Sequence, residues 1–250
     1  VSASTHVGLQ VHVEAMSRDG LQVDDERGTR QVKVRATMNP AEVGPVDLVI
    51  VLVKSFHTDQ AMRGALALVG PETVVLSLQN GLGHEDVLSE IVGRERVLAG
   101  KTYVGGVLRG PGHIQAGVTG KLTIIGELDG RITGRAQEIA DAFNAAGLTT
   151  TVSDNILGTM WDKLLINVAT GAITGITQLT YGQLYDEPVL KATSLAAVEE
   201  AMAAARAAGI ADQLERLNVD RKLRLDDLDR HRAAVGDVRL RRRHAVAVRS

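Results

Sequence analysis

Lys163 and Asn167 stand four residues apart in the largely apolar run Trp161-Asp162-Lys163-Leu164-Leu165-Ile166-Asn167. On a helix that spacing places both on one face, where they can reach one object together. Burying an ammonium among Trp161, Leu164, Leu165 and Ile166 penalises its charged form and lowers its pKa. A lysine tuned in this way can release a proton near neutral pH, as a general acid must. The competing reading is a lysine on the rim of a core helix whose stem packs inside while its head snorkels to water.

Such a helix needs a rigid surface opposite it, and the preceding residues supply candidates. Val46 to Val53 is an almost continuous run of Val, Leu and Ile, the pattern of a strand covered on both faces. Helical spacing follows from Thr58 to Val69, with Pro71 just past its end. Thr73 to Leu78 reads as a second buried strand, then come Asn80-Gly81-Leu82-Gly83, a helix from about Glu85 to Val92 and a strand at Arg96 to Ala99. Alternation of this kind builds a right-handed α/β unit. Ligands in such open sheets bind beyond the carboxyl ends of the strands, and Lys54 and Asn80 follow two of those ends. Lys54 can hold a carboxylate or phosphate as a point charge. Asn80 offers an amide donor and a carbonyl acceptor, and Gly81 and Gly83 allow close backbone approach. Taken singly, Lys54 also reads as a solvated strand-end charge and Asn80 as a turn residue.

Gly105 to Gly126 changes character, with a Gly110-Pro111-Gly112 turn between antiparallel strands that include Leu122 to Ile125. Arg135 to Ala146 reads as a helix stopped by Gly147, and Leu148 to Val152 as a strand. From Asp154 onward the pattern is helical, including an Ala-rich helix with Asp186 as N-cap, Pro188 near its first turn and Gly209 at its end. The composition shift sets a domain boundary near Ser153, giving parts 1–153 and 154–250. The last stretch, with Arg239 to His244 strongly basic, fits neither helix nor strand; it reads as an exposed terminus that could touch phosphate.

Composition narrows the function classes. With 44% hydrophobic and 23% charged residues the chain is ordinary for a globular protein, and a net charge of -2 gives no general attraction to nucleic acid or anionic membranes. The absence of cysteine excludes disulfides and thiolate chemistry. His6, His12, His57, His84 and His113 lack ligand spacing, so no metal is expected. No apolar run approaches the roughly 18 residues of a membrane span, and the cytoplasm is the expected compartment. The Ala-rich helix from Glu187 to Ala208 could serve an interface between two copies.

With these residues in hand, the chain resembles the ketopantoate reductases (2-dehydropantoate 2-reductases). The matching stretches are Val51-Leu52-Val53-Lys54-Ser55, Leu78-Gln79-Asn80-Gly81-Leu82-Gly83, Gly100-Lys101-Thr102, Gly112-His113-Ile114 and the Trp161 to Asn167 run. The resemblance implies an α/β chain whose Rossmann-like parallel sheet lacks its first βα unit, followed by an all-helical domain. It implies NADPH as cofactor and a small 2-keto acid as substrate, reduced in a cleft between the domains. By this likeness Lys163 is the catalytic acid; Lys163, Asn167 and Asn80 bind substrate; and Lys54, Asn80 and Gly106 bind the cofactor. The family's opening Gly-x-Gly-x-x-Gly turn, which seats a pyrophosphate on a helix N-terminus, is not found before Val46. Gly171 and Tyr181 stand where the family often has asparagines, and 223–237 carries Asp226, Asp227 and Asp237 without an equivalent of the family's Ser and Glu. A degenerate, inactive relative that binds or dimerises is the alternative these departures leave open.

Overall fold

Unbroken β-branched runs predict cover on both faces: Thr73 to Ser77 is buried throughout, whereas Val46 to Val51 forms an edge of the same five-stranded sheet, with Ile50 exposed and Val51 alone buried. The computed structural model describes residues 4–117 and 119–210, and the chain parts into two compact units, Val1–Lys163 and Leu164–Ser250. The first unit opens with β1 (Thr5–Val7), α1 (Gln10–Asp19), β2 (Leu21–Asp25), β3 (Gly28–Val32) and β4 (Arg35–Thr37). It continues through β5 (Val46–Val51), α2 (Thr58–Gly64), β6 (Val69–Ser77), α3 (His84–Val92), β7 (Val97–Thr102), β8 (Gly105–Gly110) and β9 (His113–Gly117). It closes with β10 (Thr123–Glu127), α4 (Gly134–Ala145), β11 (Thr150–Val152) and the start of α5 (Ile156–Thr177).

The main sheet has the order β11-β10-β7-β6-β5. Strands β5, β6 and β7 run parallel, β10 lies antiparallel to β7, and β11 is parallel to β10. Alternate residues feed opposite faces, as a pleated strand requires. Val75, Val97 and Ala99 pack with Met62, Leu88, Val92, Ile156 and Met160 of α2, α3 and α5. Val74, Leu76, Leu98 and Ile125 pack with Ala136 and Ala140 of α4. Strands β3-β2-β9-β8 form a second sheet and β1 pairs with β4.

The structure refines several expectations. The helix beginning at Thr58 ends at Gly64, a residue that weakens a helix, and Leu66–Leu68 forms a 3-10 turn before β6. Pro71 therefore lies inside β6, where the register to β5 shifts between Val46 and Leu48; a bulge is one of the few places a strand tolerates proline. Strands β1 to β4 are not marked by alternation, because they are short and every position of β3 is exposed.

Glu127 ties the end of β10 to the start of α4. Buried itself, it accepts from Thr133 Oγ1 at 2.6 Å and from Arg135 Nε and Nη2 at 2.8 and 2.6 Å. Burial pushes its carboxyl up, but Arg135 and Thr133 together outweigh that and hold it below the ordinary glutamate value. A carboxyl lowered by folding stabilises fully above its unfolded pKa, and that contribution is lost as pH falls through the folded value. Glu127→Gln is expected to cost about 1.5–3 kcal/mol at neutral pH. Its urea midpoint should also fall less steeply in acid than that of the parent.

In the second unit α5 continues to Thr177 and is followed by α6 (Tyr181–Asp186) and α7 (Pro188–Ala207). Thr180 and Gln183 form a capping box at the start of α6. Asp186 is not the cap of α7: it ends α6, and Glu187 occupies the N-cap because the residue before Pro188 must stay extended. Leu165, Leu184 and Ala205 are fully buried. Among the described residues no helix is long and apolar enough to cross a membrane. The basic segment from Arg239 and the region 223–237 lie outside the described residues.

Candidate functional site

Strands β5 and β6 end side by side, and the connections leaving them are tied together. Gln79 Nε2 donates to the Val53 carbonyl at 2.8 Å and to Thr58 Oγ1 at 2.9 Å. The two polar residues expected at the strand ends, Lys54 and Asn80, are thus held on one rim, both exposed. Past Asn80 the chain takes φ values of 103° at Gly81 and 86° at Gly83, which L side chains rarely adopt. His84 Nε2 lies 3.0 Å from the Asn80 carbonyl oxygen, fixing the loop from below.

Lys163 meets this rim. Its Nζ donates to Asn80 Oδ1 at 2.5 Å and to the Thr102 carbonyl at 2.8 Å. An ammonium carries three hydrogens, so one remains to reach a ligand. The residue is half-buried; burial first, and then the positive charge of Lys101, pushes its pKa below the ordinary lysine value. Asn80, with Oδ1 engaged by the lysine, keeps its Nδ2 hydrogens for donation elsewhere.

Beneath Lys163 the end of β7 and the residue after it supply three successive residues to which the sequence alone gives no role. Lys101 is buried at 5% exposure, its Nζ donating to the Thr159 carbonyl at 2.9 Å and pairing with Asp162 Oδ2 at 3.3 Å. Thr102 gives the carbonyl already described. The Tyr103 ring centroid lies 5.2 Å from Lys101 Nζ and 5.7 Å from Lys163 Nζ, within cation–π range. Val97 and Ala99 face the helices and Lys101 occupies the next inward position of the same strand, a parity that shows only once the strand is seen to run past Ala99 to Thr102.

The remaining candidates are placed without being brought onto Lys163. Asn167 belongs to the second unit, exposed, four residues further along α5. Gly106 is exposed on β8, where an added Cβ would lie 3.4 Å from the Gln115 carbonyl oxygen. For a nicotinamide the rim offers a fitting donor set: the Asn80 amide hydrogens, unengaged among the described residues, the Lys54 ammonium, and a glycine loop that admits close approach. No group of three or more residues that could hold a metal ion occurs among the described residues.

Residues 5–130 match the family model described as "Ketopantoate reductase PanE/ApbA", and residues 155–239 its C-terminal counterpart. A 2-dehydropantoate 2-reductase of Halobacterium salinarum is 35% identical over 84% of this chain and 69% of its own length. That of Pyrococcus horikoshii is 34% identical over 78% of this chain; the match spans 63% of the relative, less than two thirds of it. Among solved structures, a PanE/ApbA family ketopantoate reductase from Ralstonia eutropha JMP134 superposes with a TM-score of 0.74 at 32% identity, covering 87% of this chain and 71% of the other.

Proposed function

This chain belongs to the ketopantoate reductase family, and from that premise we propose that it reduces 2-dehydropantoate to pantoate, a step of pantothenate biosynthesis, with NADPH as the reductant. The observation that carries the proposal is the Lys163 amine, desolvated, held by Asn80 and Thr102, with one hydrogen left over. A reduced nicotinamide, when bound, supplies the hydride to the C2 ketone. Lys163 points its third N–H at the ketone oxygen and gives that proton to the alkoxide as it forms, so carbonyl, hydride and proton together make the secondary alcohol. Asn80 holds the amine in register and donates from Nδ2 to the bound molecules, Asn167 donates to the substrate, and Lys54 and Gly106 line the cofactor.

The dinucleotide part is assigned to 1–153 and the substrate and dimerisation part to 154–250, with α7 as the face for a second copy and the cytoplasm as the compartment. The test is the fall in nucleotide absorbance when ketopantoate is added to the protein carrying these residues, run in parallel with NADPH and NADH. Faster turnover with NADPH is expected. Saturable nucleotide binding, followed by fluorescence, without oxidation of either nucleotide by any small 2-keto acid would overturn the reductase reading; absence of binding would return the chain to the inactive alternative.

A further inference from the structure

A buried lysine at Lys101 needs a reason. Its position continues the inward-facing series of β7, where Val97 and Ala99 pack against helices, and an apolar side chain would fit there without desolvating a charge. Replacing a buried ion pair by apolar residues is often neutral or stabilising, so stability alone is a weak account of the Lys101–Asp162 pair. What the lysine does reach is the turn of α5 that presents Lys163: the Thr159 carbonyl, one turn before, and Asp162, the residue immediately before. The next two residues of the chain complete the seat, Thr102 through its carbonyl and Tyr103, just past the strand, through the ring that both ammonium groups approach.

We propose that Lys101 is a positioning residue for the Lys163 amine, clamping the helical turn that presents it and fixing a second cation beside it. The proposal rests on reading Lys163 as the proton donor. The clamp sets where the amine sits; the cation sets how readily it yields its proton, since like charges disfavour one another's charged forms. Among the described residues the titratable groups around Lys163 are Lys101 from β7, Tyr103 just after that strand, His84 from the Asn80 side with buried Glu85 next to it, and Asp162 on α5 itself. Asp162 carries the opposite sign, and its carboxylate is engaged by Lys101. Burial acts first on the amine and Lys101 second, both in the same direction.

The clamp and the cation are separable by substitution. Lys101→Met removes both, Asp162→Asn weakens the clamp and keeps the cation, and Lys101→Arg keeps the cation on a different stem. The experiment is trace labelling of the purified protein with acetic anhydride across pH, with the Lys163 peptide quantified by mass spectrometry; it needs no turnover. In Lys101→Met the labelling midpoint of Lys163 should move to higher pH, with labelling near neutrality falling several-fold. In Lys101→Arg it should return toward the parent, and in Asp162→Asn it should stay low or fall further. A midpoint unmoved in folded Lys101→Met overturns the proposal. So does an upward move in Asp162→Asn, which would make the pair merely structural; if Lys101→Met does not fold, this arm decides alone. Midpoints that behave as expected in a protein reducing no keto acid would sink the proposed function and leave the coupling of the two lysines standing.

Discussion

Lys163→Ala is expected to lower kcat by about 10²–10⁴-fold, the usual worth of a positioned general acid. At 1.36 kcal/mol per tenfold this is roughly 2.7–5.4 kcal/mol of barrier. The fold should lose far less. The side chain is half-buried and makes two charge-assisted hydrogen bonds, but removing it also relieves the desolvation that lowers its pKa, and exposed Asn80 can recover its share from water. Paired measurements of kcat and of thermal midpoint therefore separate chemistry from folding. Near-parental turnover in a folded Lys163→Ala protein would remove this amine from the role of acid.

The pH dependence follows from the same group. A general acid must be protonated, so kcat/KM should fall on the alkaline side, with its midpoint below the ordinary lysine value because burial and then Lys101 push that amine down. For stability the sign is opposite. A lysine whose folded pKa is lowered binds fewer protons folded than unfolded, so its cost is present at neutral pH and is relieved as pH rises through the folded value. Activity and stability should thus diverge as pH climbs, and in Lys163→Ala that divergence should vanish.

The two ends of this site were legible for different reasons. Lys163 stood out because its charge interrupts an apolar helical run, and Asn80 because an Asn-Gly corner follows a buried strand; both are local signals. Their meeting was not local, since 83 positions separate Lys163 from Asn80. Lys101 sat within a stretch that carried the family likeness, yet its role depends on Thr159 and Asp162, 58 and 61 positions away, and on the parity of a strand whose neighbours the sequence does not state. The same limit hid β2, whose register is set by β9 through Val23 and Ile114. The long helices α5 and α7 were visible because each repeats its own pattern for 22 and 20 residues. α2 was overdrawn because helical spacing runs on past Gly64 into residues that β6 claims for pairing.

Leu98→Ala should do the reverse of Lys163→Ala, damaging the fold while sparing the chemistry. Leu98 is fully buried and packs with Leu76, Ile125, Ala136 and Ala140 on the α4 face of the sheet. Truncating a leucine so enclosed costs about 2–5 kcal/mol, because the lost contacts leave a cavity that strands pinned on both sides cannot collapse. For a chain of this size each kcal/mol lowers the thermal midpoint by roughly 2–4 °C, readable by calorimetry. Lys101 projects from the opposite face of the same strand, toward Thr159 and Asp162 of α5, and backbone pairing of β7 with β6 and β10 is untouched by the change. Well below the lowered midpoint, kcat and the Lys163 labelling curve should match the parent. If kcat falls there as it does in Lys163→Ala, the two faces of β7 do not act separately, and the seat of Lys163 must depend on packing against α4 rather than on the residues that touch the amine.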